Sequence, residues 1–184
     1  MKRLKWDQQK QESLCIFLYF IVAAVTVLLL ATRSSFLYPC NNWDDANSYF
    51  SVGKAIFNGK LPYREVFDQK GILLYFLYGL CYLISHTTFA GVFVMECILA
   101  FFDLVGIYRI LLLYMGRNTA LVLTPLPLAM VFASYSFYWG GAAEEICFPF
   151  LVWGLYFGLR YFKKEYPHKA MDSRTLVVAG VLAG

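Results

Sequence analysis

Charged residues are scarce in this 184-residue chain. They make up 15% of the sequence, against roughly 25% in an average soluble domain, while hydrophobic residues make up 60%. This balance excludes an ordinary soluble enzyme and a disordered tail. The formal net charge is only +4, and the basic residues form no stripe. Nucleic acid is therefore not an expected partner.

Motifs for metal, disulfide and nucleotide chemistry are also missing. The five cysteines are scattered without CxxC or metal-ligand spacing, which argues against a disulfide framework and a zinc site. No Walker or Rossmann glycine pattern is present, so no nucleotide site is expected. What remains is apolar sequence in which 19% of the residues are aromatic. This composition is typical of an integral membrane protein.

Long apolar stretches predict membrane spans. Residues 14–32 contain no charged residue and are long enough to cross a hydrocarbon core of roughly 30 Å as a helix. Similar stretches predict further spans at 88–113, 119–138 and 146–161, and an incomplete span at 175–184. Because the last stretch reaches only about half of a bilayer, we expect an amino-terminal, truncated portion of a longer polytopic protein.

The distribution of basic residues predicts the topology. If residues 71–85 lie in the membrane interface, the N-terminus, Arg117 and the basic loop 160–174 are all cytoplasmic, as the positive-inside rule requires. Residues 33–87 then form an outer loop. The predicted fold is an all-α membrane protein, a polytopic helical bundle in the cell membrane. Its outer loop contains amphipathic juxtamembrane helices at 44–58 and 71–85.

The first juxtamembrane helix carries two carboxylates at its start. Apolar residues recur with helical spacing from Ala46, Asn41 or Asn42 is the expected cap, and Asn58-Gly59 is a stop signal. Asp44 and Asp45 fall in the first turn, where the helix dipole favours anions. They are either simple helix-start signals or, held near a membrane surface, they include a general base.

Lys70 precedes the second juxtamembrane helix and lies near the level of the lipid headgroups. Its ammonium group either snorkels to the interface or binds the phosphate of a lipid-linked substrate. Glu96, within the predicted span 88–113, is an ionisable residue in the membrane. Such a residue faces either a substrate cavity or another helix.

The spacing of these residues is similar to that of a known family. The matching positions are Asp45, Tyr49, Gly53-Lys54, Asn58-Gly59, Pro62-Tyr63, Phe67-Asp68 and Lys70-Gly71. This run resembles the N-terminal signature of the polyprenyl-phosphate-sugar-dependent glycosyltransferases, the GT-C membrane enzymes that include protein mannosyltransferases and aminoarabinose transferases. The segment from Gly140 to Glu145 resembles an acidic turn of the same family. The chain departs from the pattern at Ile72, where the family usually has Pro, and at Ala142-Ala143.

The resemblance implies roles for individual residues. Asp45 takes the place of the catalytic base, and Lys70 that of the lysine that contacts the lipid phosphate of the donor. Further candidates for substrate binding are Asp44, Tyr63, Asp68, Glu96, Glu144 and Glu145. The implied reaction moves a sugar from a polyprenyl-phosphate carrier to a hydroxyl of a glycan, lipid or protein acceptor, at the outer face and among membrane lipids. No cofactor is assigned, and participation of a divalent metal stays open.

Two other classes share some of these features. A transporter or a flippase for lipid-linked sugars would also have apolar helices and buried acids, although we find no internal repeat of the kind many transporters have. A non-catalytic membrane scaffold would need neither carboxylate. An outer loop that begins with Asp-Asp and closes on Lys70-Gly71 favours the transferase.

Overall fold

The computed structural model describes residues 2–38, 40–168 and 170–183, and the side chains of residues 2–9 and 183 are outside that description. Within these ranges the chain is helical and has no named strand, which confirms the predicted all-α class. The helices are α1 Lys2–Ala31, α2 Asp44–Phe57, α3 Ile72–Ile84, α4 Ala90–Leu111, α5 Arg117–Leu123, α6 Pro125–Phe132, α7 Ala143–Lys164 and α8 Ser173–Ala183.

Helices α1 and α4 form the centre of the molecule. Segments Lys10–Ala31 and Ala90–Leu111 are each 22 residues, long and apolar enough to cross a membrane. Helix α1 packs against α4 and α6, and α4 also packs against α7. Buried side chains of α1, such as Leu28, meet Leu104 and other residues of α4 in one apolar cluster. The opposite face of α1 leaves apolar side chains exposed, as expected for a surface that meets lipid.

The predicted span 119–138 is wrong in its extent. The helix is interrupted at Pro125, which lacks a backbone N–H, and ends at Phe132. Turn hydrogen bonds replace it, from the N–H of Phe137 to the oxygen of Ser134 and from the N–H of Gly140 to the oxygen of Phe137. The apolar, aromatic composition of residues 133–139 concealed this turn, because hydropathy does not report backbone conformation.

Both segments that were predicted as juxtamembrane helices are helical, with bounds close to those expected, and their placement beside the membrane stays a prediction. Segment 44–58 corresponds to α2, and 71–85 to α3. Their backbones approach closely at Gly53, where an added Cβ would lie 2.6 Å from the nitrogen of Gly79 and 2.7 Å from the oxygen of Tyr75. A side chain at position 53 would therefore separate the helices. The glycine of the Gly53-Lys54 pair is explained by this packing.

The expected side-chain cap of α2 is wrong. The helix begins after Trp43, and no side chain caps it. Asn41 instead accepts a hydrogen bond from the N–H of Trp43 at 3.0 Å and donates one to the backbone oxygen of Trp139 at 2.6 Å. Its amide thus ties the start of the outer loop to the segment before α7, so a tertiary contact takes the place of the local one.

Segments predicted to be cytoplasmic lie at one end of the helices. Arg117 forms an ion pair with Glu12 near the start of α1, with 2.8 Å between nitrogen and oxygen. The ammonium group of Lys163 donates a hydrogen bond to the oxygen of Leu113 and lies 4.2 Å from the centre of the Tyr114 ring. The amino-terminal half of α1, the start of α5 and the ends of α4 and α7 are therefore neighbours.

Candidate functional site

Asp45 and Tyr49 form the outer part of the site. They lie one turn apart on α2, and the Asp45 carboxylate is exposed. The ring of Tyr49 is buried. Burial, together with the charges of Asp45, Glu144 and Asp68, raises the pKa of Tyr49 above its usual value. Three carboxylates that were predicted as site residues, from different parts of the chain, are thus close enough for their charges to raise the pKa of one phenol.

Lys70 is held through its backbone by two tyrosines. Its N–H donates a hydrogen bond to the phenol oxygen of Tyr75 at 2.7 Å, and its carbonyl oxygen accepts one from the phenol of Tyr63 at 2.8 Å. Burial and the nearby charge of Asp68 raise the pKa of Tyr75. Helix α3 begins at Ile72, and these two bonds fix the backbone of Lys70 just before it. Tyr63 serves here to fix the loop.

Aromatic contacts connect the two halves of the site. Tyr49 lies 6.4 Å from Tyr75 and 5.5 Å from Tyr78, measured between ring centres, and Tyr63 lies 6.4 Å from Tyr75. We call these four residues the tyrosine cluster. It joins the Asp45 end of α2 to the loop that carries Lys70 and continues through Tyr78 into the protein. Asp44 lies outside it, exposed in the first turn of α2.

Beneath the tyrosine cluster, Glu96 and Glu145 form a buried carboxyl pair. The N–H of Gly141 donates to Glu96 at 2.5 Å and to Glu145 at 3.1 Å. Glu96 also accepts a hydrogen bond from the hydroxyl of Ser34. The phenol of Tyr78 donates to the carbonyl oxygen of Gly141. Residues from α1's end, α3, α4 and α7 thus meet around one glycine.

The carboxyl pair is buried where α4 meets the start of α7. Glu96 and Glu145 are both almost completely buried, and each accepts a hydrogen bond from the N–H of Gly141. The Oε1 atom of Glu145 is buried and has no hydrogen-bond partner among the described residues. These contacts agree with the packing interpretation that the sequence left open for Glu96. Substrate binding by Glu96 and Glu145 stays a prediction.

Glu144 and Asp103 differ from this pair in their surroundings. Glu144 is exposed on the side of Tyr49 rather than inside. Asp103 is completely buried on α4, and neither of its oxygens has a hydrogen-bond partner among the described residues.

Sequence reasoning missed several residues that build the site. Tyr78, Gly141 and Ser34 carry the contacts of the carboxyl pair, and Arg33 lies in an aromatic cage at the end of α1. Two signals were available: a Gly-Gly pair before two glutamates, and a charge that directly follows an apolar span. Among the residues that the structure describes, no group of three or more His, Cys, Asp or Glu side chains is arranged to hold a metal ion.

The fold and the site define an all-helical protein that has two helices of membrane-spanning length, with a tyrosine cluster above a buried carboxyl pair. Residues 3–182 match a family model described as "Putative competence-induced protein Ccs4 N-terminal domain". Because the match covers nearly the whole chain, the chain belongs to this family. No curated protein and no solved structure matches it.

Proposed function

We propose that this chain belongs to a multi-pass membrane glycosyltransferase of the GT-C type, which transfers a sugar from a polyprenyl phosphate to an acceptor hydroxyl. Asp45 is the general base, and Lys70 binds the phosphate. The observation that carries the proposal is the tyrosine cluster, which joins the Asp45 end of α2 to the loop of Lys70 and Asp68. The family description names no reaction, so the proposal depends on this geometry and on the loop motif.

The chemistry needs a base and a cation near the same sugar carbon. Asp45 takes the proton of the acceptor hydroxyl while that oxygen bonds to the anomeric carbon. The bond from this carbon to the phosphate oxygen breaks through an oxocarbenium-like state. The phosphate leaves with the electron pair, and the ammonium group of Lys70 stabilises its charge. Attack opposite the leaving group inverts the anomeric centre.

The proposed topology has a cytoplasmic N-terminus and an outer loop at residues 33–87. Support comes from the ion pair of Arg117 with Glu12 and from the contacts of Lys163, which bring three basic segments to one end. At the other end, Asn41 contacts Trp139, so the start of the outer loop and the turn before α7 are neighbours. Basic segments gathered at one end agree with the positive-inside rule.

Substitution of the two charged groups tests the proposal. In full-length protein supplied with a polyprenyl-phosphate sugar, Asp45→Asn should reduce transfer by at least about 100-fold, since general-base catalysis contributes roughly 10²–10⁴. The matched control is Asp44→Asn, the exposed neighbour, which should keep most of the activity. Lys70→Gln should also reduce transfer, whereas Lys60→Gln, an exposed lysine of the same loop, should not.

Transport assays distinguish the transferase from a flippase and from a non-catalytic scaffold. If Asp45→Asn left transfer intact while the protein moved a lipid-linked sugar across the bilayer, the transferase proposal would be lost in favour of a flippase. Absence of both activities in the wild-type protein, with every tested donor, would favour the scaffold.

A further inference from the structure

A polar cavity lies at the end of α1. It has a volume of about 360 Å³ and is lined by side chains that follow α1, by the start of α2 and by the start of α4. Arg33, Asn41, Asn47, Thr87 and Thr88 contribute polar groups to its wall. Neither the proposed base nor the proposed phosphate-binding lysine lines it. The cavity is therefore not explained by the transfer reaction.

Arg33 supplies a positive charge to this cavity. Its guanidinium carbon lies 5.7, 5.1 and 4.7 Å from the ring centres of Tyr38, Tyr138 and Trp139, so aromatic faces surround it. Its backbone N–H also donates a hydrogen bond to the oxygen of Tyr138 at 3.0 Å. The side chain is thereby held in one place rather than left free to extend into water.

No carboxylate neutralises Arg33 within the described ranges of the chain. The ion pairs found there are Lys60 with Glu65 and Arg117 with Glu12. The Nε of Arg33 is buried and has no hydrogen-bond partner among the described residues. The N-terminus of α4, the positive end of a 22-residue helix, borders the same cavity. An anionic group in the cavity would satisfy the guanidinium and gain from the helix dipole.

An apolar groove continues from the polar cavity along α1 and α4. It has a volume of about 510 Å³, and its lining is aliphatic and aromatic, with Val25 and Phe101 among the contributors. Phe36 lines both the groove and the polar cavity, so the two spaces adjoin the same side chain. Both helices are long enough to cross a membrane, so in a bilayer the groove runs beside the acyl chains.

We propose that this combined cavity and groove binds one molecule of an anionic glycerophospholipid. The phosphate lies against Arg33, the glycerol hydroxyls of the headgroup face the hydroxyl and amide side chains of the cavity, and one acyl chain lies in the groove beyond Phe36. A headgroup with hydroxyls fits this wall better than a bare phosphate does, because asparagine and threonine side chains line it. The inference requires the membrane placement proposed above but not the transfer reaction.

Lipid binding to the full-length protein tests the inference. Protein in mild detergent is titrated with phosphatidylglycerol or with phosphatidylcholine of the same acyl chains, and bound lipid is counted by native mass spectrometry. The wild-type protein should retain phosphatidylglycerol in preference. Arg33→Gln should lower that preference roughly tenfold, as expected when a charge-assisted contact is lost. Arg64→Gln, an exposed arginine of the same loop, should leave it unchanged.

A second pair of variants tests the groove without touching the charge. Val25 lines the groove, whereas Val22 is an exposed residue of the same helix that does not line it. Val25→Trp should fill the groove and reduce binding of both lipids, and Val22→Trp should not. Unchanged lipid preference in Arg33→Gln, or equal effects of the two tryptophans, would overturn the inference. Tighter binding of polyprenyl phosphate than of phosphatidylglycerol would overturn the assignment of the occupant.

These outcomes are separable from those of the transferase test. The lipid site is supported if Arg33→Gln loses the preference for phosphatidylglycerol while Lys70→Gln binds this lipid as the wild-type protein does. This conclusion holds whatever the transfer assay shows. Circular dichroism of each variant records whether its helices are intact. If Arg33→Gln unfolds, the Val25 and Val22 pair still decides between binding and its absence.

Discussion

Glu96 and Glu145 accept hydrogen bonds from the same backbone N–H, that of Gly141, at 2.5 and 3.1 Å. This relationship connects the middle of the chain to the start of α7 through a single donor. Both acidic side chains are buried, and this N–H gives each of them a hydrogen-bond donor.

Removal of the Glu96 carboxyl should destabilise the protein. Glu96→Ala removes the carboxylate that accepts from the hydroxyl of Ser34 and the N–H of Gly141 and opens a cavity, at a cost of about 3 kcal/mol. Glu96→Gln retains the volume and one acceptor oxygen, so it should cost less. Thermal unfolding in detergent, followed by circular dichroism, measures the difference. Glu12→Ala, which breaks an exposed ion pair, is the control and should cost less than about 1 kcal/mol. Equal losses for Glu96→Ala and Glu12→Ala would contradict a structural role of the carboxyl pair.

A side chain at position 141 should disturb the same contact. Gly141 has a φ of +78°, and an added Cβ would collide with the phenol of Tyr78. Gly141→Ala should therefore destabilise the fold by about 2–4 kcal/mol, from backbone strain and overpacking together. Gly116→Ala is the matched control, because its φ is −71° and nothing lies within 4 Å of the added Cβ. The unfolding temperature should fall in Gly141→Ala and stay unchanged in Gly116→Ala. An equal decrease in both variants would contradict a specific role of Gly141.

Alkaline pH should weaken the packing of α2 against α3. Burial raises the pKa of Tyr49 above its unfolded value of about 10. Stability is therefore unaffected below pH 10 and falls as the pH rises further, because only the unfolded chain ionises this phenol readily. Tyr49→Phe should reduce this alkaline loss relative to the wild-type protein. Unfolding curves collected between neutral pH and pH 11 measure it, and identical pH dependence in the two proteins would refute the assignment.

The outer loop should be accessible from outside intact cells. Cys40 is exposed, and a membrane-impermeant maleimide should label it. In a background in which all five cysteines are replaced by serine, Lys60→Cys should restore the labelling, whereas Tyr166→Cys should react only after the membrane is permeabilised. The reason is the proposed placement of residues 33–87 outside and of loop 160–174 inside. Labelling of both positions in intact cells would exclude this topology.

Local patterns predicted the helices of the loop well. Apolar residues that recur with helical spacing from Ala46 and the stop signal at Asn58-Gly59 predicted a helix at 44–58. The structure has α2 from Asp44 to Phe57. Both signals act within a few residues, so sequence alone contains them. The end of α6 was not predictable in this way. The chain turns after Phe132 and leads to Gly141, which has a positive φ and whose N–H donates to Glu96, a residue distant in sequence.

The sequence by itself determined the helical class, the apolar segments and the position of the first carboxylates, because each depends on neighbours along the chain. Only the tertiary structure decided that Glu96 and Glu145 share one donor, that tyrosines hold the backbone of Lys70, and that Arg33 borders a cavity at the end of α1. Those features arise where separate helices meet. Hydropathy and spacing describe one segment at a time and so have no information about which side chains come to face each other.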